Sequence, residues 1–143
     1  MLERELIVPR GIDEVFAFFC DPKNLDHLTP PWMHFHIVGS STPTIGEGTL
    51  IDYKLKVRGI PLRWRSRILD WNPPYHFADE QVRGPYRSWL HHHTFEDLGG
   101  KTRVGDSVRY SVLGGAFVNR LLVRPDIERI FDYRLEQLTK IFG

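Results

Sequence analysis

The stretch that decides the fold is residues 86–112, YRSWLHHHTFEDLGGKTRVGDSVRYSV. Large apolar side chains recur at every second position on both sides of Gly99-Gly100, and this period is typical of β-strands. Two strands, 86–97 and 102–112, are joined by so short a link that they must be antiparallel neighbours. The stretch therefore predicts a β-hairpin with one buried face.

Alternation along the first of these strands assigns its side chains to two faces. If Phe95 is buried, then Trp89, His91 and His93 also face the interior, because side chains two residues apart point the same way. Two imidazoles are therefore predicted inside the molecule. Buried polar groups are costly unless they are hydrogen-bonded, so partners for them are expected on the neighbouring strands.

The turn geometry predicts those partners. A turn over Asp97–Lys101 gives four cross-strand pairs: Phe95–Val104, His93–Asp106, His91–Val108 and Trp89–Tyr110. On the other side, a two-residue turn at Gly84-Pro85 sets Glu80 opposite Trp89 and Ala78 opposite His91. A slip of one residue would exchange Glu80 for Asp79 or Gln81, because each step moves a side chain to the opposite face.

The result is a candidate interior polar group, which comprises Glu80, His91, His93, Asp106 and Tyr110. Three interpretations of it stay open. The group satisfies its own hydrogen bonds and fixes strand register, or it orients the polar end of a ligand, or it does chemistry as a general acid and base or as metal ligands. Because His-x-His arises easily in a run of three histidines, we predict no metal site and no cofactor.

The remaining chain supplies more strands and a long helix. A strand is predicted over Leu2–Val8, followed by a short helix that carries Phe16 and a second one that ends before Pro30-Pro31. Further candidate strands lie between turn signals, at 33–39, 48–58, 62–72 and 75–83. A helical stretch of about 28 residues then runs from Gly114 to Phe142, and Pro125 should kink or split it.

This order of elements predicts an α+β fold with the sequence β-α-α-β-β-β-β-β-β-α. Seven antiparallel strands and one helix with a sustained apolar face have one economical arrangement, in which the curved sheet wraps around the C-terminal helix. No linker or repeat interrupts the chain, so a single domain over 1–143 is expected. Strong curvature would leave a space between the sheet and the helix.

Composition excludes several classes of protein. The chain has 143 residues and a formal net charge of +1, which argues against a dedicated nucleic-acid binder. A lone cysteine, Cys20, does not suit a disulfide scaffold, and no apolar run approaches the length of a membrane span. Glu3, Arg4 and Glu5 do not suit a signal peptide. We therefore expect a cytoplasmic protein without stable membrane insertion, and the sequence does not indicate its oligomeric state.

Aromatic side chains make up 13% of the residues, and four of them are tryptophans. The period-two pattern places many of these rings on the inward face. They either fill an ordinary core or line a large cavity. If a cavity exists, its predicted ligand-binding residues are Tyr53, Trp64, Glu80, Trp89, His91, His93, Tyr110, Phe117 and Phe131.

Several motifs also resemble a known family. The chain is similar to the START-like SRPBCC superfamily, which includes polyketide cyclases and coenzyme Q-binding proteins, and in particular to a bacterial subgroup found alone or fused to epimerase-like domains. The residues that carry the resemblance are Asp21 with Asn24-Leu25, Leu28–Trp32, Ile51–Tyr53, Gly59–Leu62, Trp71–Pro74, Asp79–Gln81, Gly84–Tyr86, Trp89/His91/His93/Phe95 and Ile130–Arg134.

The resemblance implies the helix-grip fold and a cavity that accepts an apolar or amphipathic small molecule. We expect binding or carriage of a lipid, isoprenoid, quinone or polyaromatic ligand rather than catalysis. The first alternative is a cyclase- or hydratase-like enzyme, with catalytic candidates Glu80, His91, His93 and Asp106. The second is a protein-interaction module, for which an exposed patch around Trp32 and Phe35 without a cavity would be the sign.

Overall fold

Seven strands form one antiparallel sheet in the computed structural model, which describes residues 1–143. Their order across the sheet is β1-β7-β6-β5-β4-β3-β2. Every predicted strand is present. Their bounds are β1 Leu2–Val8, β2 His36–Ser40, β3 Leu50–Val57, β4 Ile60–Asn72, β5 His76–Arg83, β6 Ser88–Asp97 and β7 Thr102–Ser111.

The largest difference in strand bounds is at the start of β2. The expected strand began at 33, but Pro31–Met33 forms a short 3-10 turn. His34 then adopts a left-handed conformation, with φ of 47°. A left-handed residue cannot continue a strand, so pairing with β3 begins only at His36.

Two short helices connect β1 to the rest of the sheet, as predicted. They are α1, Ile12–Phe19, and α2, Asn24–Leu28. The buried side of α1 contains Val15, Phe16 and Phe19. These side chains join the main core beneath the sheet, where Phe16 packs edge-on against Phe95 at a ring-centroid distance of 5.2 Å.

The C-terminal helical stretch changes its winding partway along. It comprises α3, Gly115–Val118, a π-helical turn over Asn119–Val123, and α4, Arg124–Phe142. The predicted break at Pro125 thus takes the form of a π-turn just before the proline, which occupies the first turn of α4. A π-helical turn contains more residues than an α-helical turn, so it rotates the residues before it relative to an uninterrupted α-helix. The apolar stripe of α4 consequently does not continue into α3.

The sheet curves around α4, which is the helix-grip arrangement that the sequence predicted. Buried side chains of α4 reach into the fold at regular helical spacing: Ile127, Phe131, Arg134, Leu138 and Phe142. Leu138 and Phe142 complete the main core, whereas Ile127 and Phe131 belong to a second cluster with Leu2 and Val108. No helix combines the length and the apolar character needed to cross a membrane.

The predicted register of the last hairpin is confirmed. The structure pairs Phe95 with Val104, His93 with Asp106, His91 with Val108 and Trp89 with Tyr110. The Asp97–Lys101 turn has the predicted length, and its glycines permit the left-handed backbone that it needs, with φ of 78° at Gly99 and 83° at Gly100.

The predicted register of β5 against β6 is wrong by one residue. Asp79, not Ala78, lies opposite His91, and Glu80 lies opposite Leu90. The cause is the connection, because β5 ends at Arg83 and β6 begins at Ser88. Instead of a two-residue turn, the loop is closed by the Gln81 side chain, which accepts a hydrogen bond from the Tyr86 backbone N–H and donates one to its carbonyl.

Candidate ligand-binding cavity

A cavity of about 160 Å³ lies between the concave face of the sheet and α4. Sixteen of its 22 lining residues are hydrophobic, so its wall is mainly apolar. The volume is similar to that of an engineered cavity of about 150 Å³ that binds benzene. We call this space the inner cavity.

Aromatic rings form one side of the inner cavity. Tyr53 and Trp64 stack across neighbouring strands with ring centroids 5.9 Å apart. Trp64 meets Trp89 edge-on at 5.4 Å, and Tyr86 packs against both tryptophans. Phe131 reaches in from α4 and lies against the His91 ring at 5.2 Å. The aromatic surplus in the composition thus concentrates around a space, not only in a filled core.

A second, larger space of about 480 Å³ adjoins the inner cavity, and we call it the outer chamber. The two share five lining residues: Met33, Leu55, Trp64, Tyr86 and Ile130. At the outer chamber, Arg129 lies over the Trp32 ring at 4.8 Å, and Arg58 forms an ion pair with Asp126 at 2.9 Å. The outer chamber therefore has an apolar wall and charged groups at its rim.

The polar end of the inner cavity is a hydrogen-bonded cluster on the central strands and α4. His93 Nε2 lies 2.6 Å from Asp79 Oδ2 across the β5–β6 pair. His91 Nε2 lies 2.8 Å from Asp106 Oδ1 across the β6–β7 region. The two imidazoles are stacked, with ring centroids 3.7 Å apart. We call Asp79, His91, His93, Asp106 and Arg134 the polar cluster.

Arg134 closes the polar cluster from the helix side. Its Nε donates to Asp106 Oδ2 at 3.2 Å, and its NH2 group lies 3.3 Å from His93 Nδ1. A guanidinium can only donate, so His93 Nδ1 is the acceptor and the proton of the neutral ring is on Nε2. His93 therefore donates from Nε2 to Asp79. The arrangement fixes both the tautomer and the orientation of the ring.

The surroundings set the charges of the cluster. Burial, followed by the neighbouring His91, lowers the pKa of His93 to about 4 despite its hydrogen bond to Asp79. Burial alone would raise the pKa of Asp106, but Arg134 and His91 outweigh it and hold that pKa well below its usual value. The pKa of Asp79 is likewise lowered, since His91, His93 and Arg134 outweigh the effect of burial. Two carboxylates thus face one guanidinium around a neutral His93.

Asp79, His91 and His93 place ligand atoms within 4.8 Å of one another, which is a spacing that could hold a metal ion. Their hydrogen bonds do not suit that role. Coordination by His93 Nε2 requires that this atom lose its proton, and Nδ1 would then carry one toward the Arg134 NH2 group 3.3 Å away. The donor set fits a hydrogen-bonded cluster better than a metal centre.

The structure brings six of the predicted ligand-binding residues to the inner cavity: Tyr53, Trp64, Trp89, His91, His93 and Phe131. Asp106 lies behind His91 and Arg134 and does not line the space, although it belongs to the polar cluster. Their roles in binding stay predictions.

Three expected residues lie elsewhere. Glu80 is on the outer face of the sheet, 3.5 Å from Arg67, because of the one-residue register difference. Phe117 is 74% exposed, because the π-turn rotates α3 away from the apolar stripe of α4. Tyr110 packs beside Trp89 and donates its hydroxyl to Asn119 Oδ1 at 2.6 Å, outside the cavity lining.

Sequence reasoning missed Asp79 and Arg134 as members of the site. Asp79 entered the prediction only as the outcome of a one-residue slip. A correct length for the β5–β6 loop would have placed it opposite His91. Arg134 carries a weaker signal, since it occupies a position of the apolar stripe of α4, one turn after Ile130 and Phe131. A charged residue on a buried helix face requires a partner, and Asp106 is that partner.

Comparison with known proteins agrees with this architecture. Residues 8–139 match the family model described as polyketide cyclase / dehydrase and lipid transport. The chain belongs to this family. The START-like identification made from the sequence is thereby confirmed, and the fold suits the binding of hydrophobic ligands. Among curated proteins, none is significantly similar to this START-like chain.

Solved structures share the START-like fold at low sequence identity. One is a START superfamily protein from Mycobacterium smegmatis, with a TM-score of 0.68, 8% identity and coverage of 98% of this chain and 97% of that one. A protein from Arthrobacter aurescens has a TM-score of 0.75 and 14% identity, and the match covers 98% of this chain and 84% of that one.

The nucleoside-diphosphate sugar epimerase from Corynebacterium glutamicum is also similar, with a TM-score of 0.72 and 20% identity. The match covers 98% of the START-like chain but only 28% of the epimerase chain. At such identities the comparisons establish the fold alone.

Proposed function

We propose that this domain binds a small, mainly apolar molecule in the inner cavity, with the ligand's polar end toward the polar cluster. The observation that carries the proposal is an apolar space of about 160 Å³ with buried, ordered polar groups at one end. Small-molecule sites are typically built in this way, from an apolar wall and a few fixed polar groups. A purely structural cluster would not need a space beside it.

The outer chamber supports the same proposal as a route of entry. Ile130 lines both spaces from α4, opposite strands β3 and β4. A ligand larger than one ring, such as an isoprenoid, quinone or polyaromatic molecule, would extend past Ile130 into the outer chamber. The family's lipid-transport description is consistent with carriage of such a molecule.

The test is a titration with N-phenyl-1-naphthylamine, a neutral dye whose fluorescence rises in apolar surroundings. Wild-type protein should bind it, and Ile130→Trp should weaken binding about tenfold or more, because the larger side chain obstructs the passage. Ile141→Trp makes the same change on the exposed side of the same helix and should bind normally. Equal binding by both variants, or none by the wild type, would contradict the proposal.

Catalysis is the second candidate, and the 2.6 Å contact between Asp79 and His93 at the cavity wall favours it. A carboxylate held beside an imidazole can accept a proton from a bound ligand. The cyclase branch of the family description is consistent with such a step. If catalysis occurs, a bound ketone should exchange its α-protons with D₂O faster than in buffer, as followed by NMR, and Asp79→Asn should abolish the acceleration.

A further inference from the structure

The polar cluster leaves one hydrogen-bond acceptor free at the cavity wall. Asp79 Oδ2 is engaged by His93, whereas Asp79 Oδ1 accepts no hydrogen bond from the protein. Every buried polar side-chain atom has a partner, and the Asp79 side chain is 18% exposed. Because Asp79 lines the inner cavity, its free oxygen is open to whatever occupies that space.

Several of the other polar groups at the wall are already engaged. Trp64 Nε1 donates to Ser66 Oγ at 2.9 Å, and the Tyr53 hydroxyl pairs with the same Ser66 oxygen at 2.9 Å. Thr29 donates its hydroxyl to the Leu25 carbonyl at 2.7 Å. Arg134 uses its Nε and Nη2 on Asp106 and His93. Its Nη1 and the Tyr86 hydroxyl have no hydrogen bond within the protein, although both residues line the cavity. Among the acceptors of the wall, the free one that carries negative charge is Asp79 Oδ1.

His91 lies on the same side of the cavity. Its Nε2 is 2.8 Å from Asp106 Oδ1, and its Nδ1 is 3.6 Å from Asp79 Oδ2, which is too long for a strong hydrogen bond. Asp79 Oδ1 thus suits a ligand group that brings its own hydrogen.

From these contacts we infer that the inner cavity selects a single apolar ring whose head group donates a hydrogen bond to Asp79. The inference rests on the proposed ligand-binding function and narrows its ligand class to ring-bearing alcohols, phenols or protonated amines. The low pKa of Asp79 keeps the acceptor charged at neutral pH. A head group that cannot donate would leave this charged oxygen without a hydrogen bond.

Ring size supports the same class of ligand. The inner cavity is close in volume to one that accepts benzene, and its aromatic wall offers edge and face contacts to one ring. The negative charge of Asp79 also suits a protonated amine, and the rings of Tyr53, Trp64 and Trp89 can attract such a cation by cation–π interaction. The hydroxyl and the amine share one chemistry, which is donation to Asp79 Oδ1.

The experiment compares four ligands of matched shape by calorimetric titration: 4-methylphenol, 4-methylbenzylamine, 4-methylanisole and 4-methylbenzoate. The phenol, the amine or both should bind about tenfold or more tightly than the ether and the benzoate, because a hydrogen bond to a charged acceptor is worth at least that factor. Which of the two donors binds identifies the head group. Asp79→Asn should reduce the preference to about threefold or less.

Glu80→Gln is the matched control, because it changes the neighbouring carboxylate on the outer face and should retain the wild-type preference. If Asp79→Asn does not fold, the comparison of the four ligands on the wild type still tests the inference. Equal binding of the ether or the benzoate would overturn the inference and leave the proposed function intact. Binding of none of the four would overturn it too, and the proposed function would fail only if the naphthylamine dye also did not bind.

Discussion

At the scale of single residues, the polar cluster depends on Arg134 as its only permanent cation. Asp106 is almost completely buried, and its Oδ2 receives Arg134 while its Oδ1 receives His91. Removing one partner of a buried ion pair is far costlier than removing an exposed one, because the remaining charge stays desolvated. The site is therefore also a determinant of stability.

Arg134→Met should lower the free energy of unfolding by about 3 kcal/mol, since it leaves the Asp106 carboxylate without its guanidinium. Urea denaturation measures the change. The control is Arg4→Met, which breaks an exposed pair with Asp132 at 3.1 Å and should cost less than about 1 kcal/mol. If both variants lost a similar free energy of unfolding, the buried ion pair would contribute no more to stability than the exposed one.

His93 predicts a pH dependence of stability. Its pKa is about 4 in the folded protein, below the ordinary 6.5, so the unfolded chain binds a proton that the folded chain does not. Stability should be full above about pH 6.5 and fall by up to about 3 kcal/mol as the pH drops to 4. The carboxylates of Asp79 and Asp106, whose pKa values are also lowered, extend the loss to more acidic pH.

Urea midpoints at several pH values between 7 and 4 test this dependence. His93→Gln keeps a donor toward Asp79 but cannot titrate, so its midpoint should vary less over this range. His36→Gln, at an exposed position of β2, should retain the wild-type slope. A His93→Gln protein with an unchanged slope would show that another group is responsible.

At the scale of elements, the start of α3 depends on a glycine. Gly114 has φ of 92°, and a Cβ there would lie 2.5 Å from Val118 Cγ2. A left-handed conformation costs other residues about 1–2 kcal/mol, before any clash. This glycine lets β7 turn abruptly into the helical stretch that borders the outer chamber.

Gly114→Ala should therefore lower the free energy of unfolding by about 1–2 kcal/mol or more. Thermal unfolding followed by circular dichroism measures the effect. Gly46→Ala is the control, because nothing lies within 4 Å of a Cβ there and its φ is not positive. If Gly114→Ala were as stable as the control, the turn would have to relax without strain.

The elements also show what the sequence could and could not predict. Period-two alternation identified all seven strands, and the Asp97–Lys101 turn set the β6–β7 register, so His91, His93 and Asp106 were correctly brought together. The β5–β6 register depended on loop length. In that loop the Gln81 side chain forms a hydrogen bond to the backbone of Tyr86, and strand periodicity does not encode such a contact. The predicted register consequently placed Glu80, not Asp79, in the interior.

The position of Phe117 could not be predicted for a different reason. Apolar spacing along 114–142 suggested one helical face, but a π-turn at Asn119–Val123 changes the phase of the residues before it. Arg134 was hidden because hydrophobic periodicity counts a charged residue as a break in the stripe. Its partner, Asp106, is close only in the folded protein.

At the scale of the whole molecule, the inner cavity links binding to stability. A ligand that binds only the folded state raises the free energy of unfolding by about 2.7 kcal/mol when its concentration is 100 times its dissociation constant. Saturation with the best of the four matched ligands should therefore raise the melting temperature of the wild type. Differential scanning fluorimetry measures the shift. No shift despite calorimetric binding would show that the ligand binds the unfolded chain as well as the folded protein.

The pairing of β1 with β7 also sets the order in which the molecule can form. Leu2 lies opposite Val108, whereas β2 to β7 pair with neighbours along the chain. The local hairpins can close early, but β1 must wait until a loop of roughly one hundred residues is closed, and such distant contacts slow folding. Leu2 and Val108 share a cluster with Ile127 and Phe131 of α4, so this late step and the docking of α4 belong together. Under the proposed function, a ligand would enter either before β1 and α4 have docked or afterwards through the outer chamber.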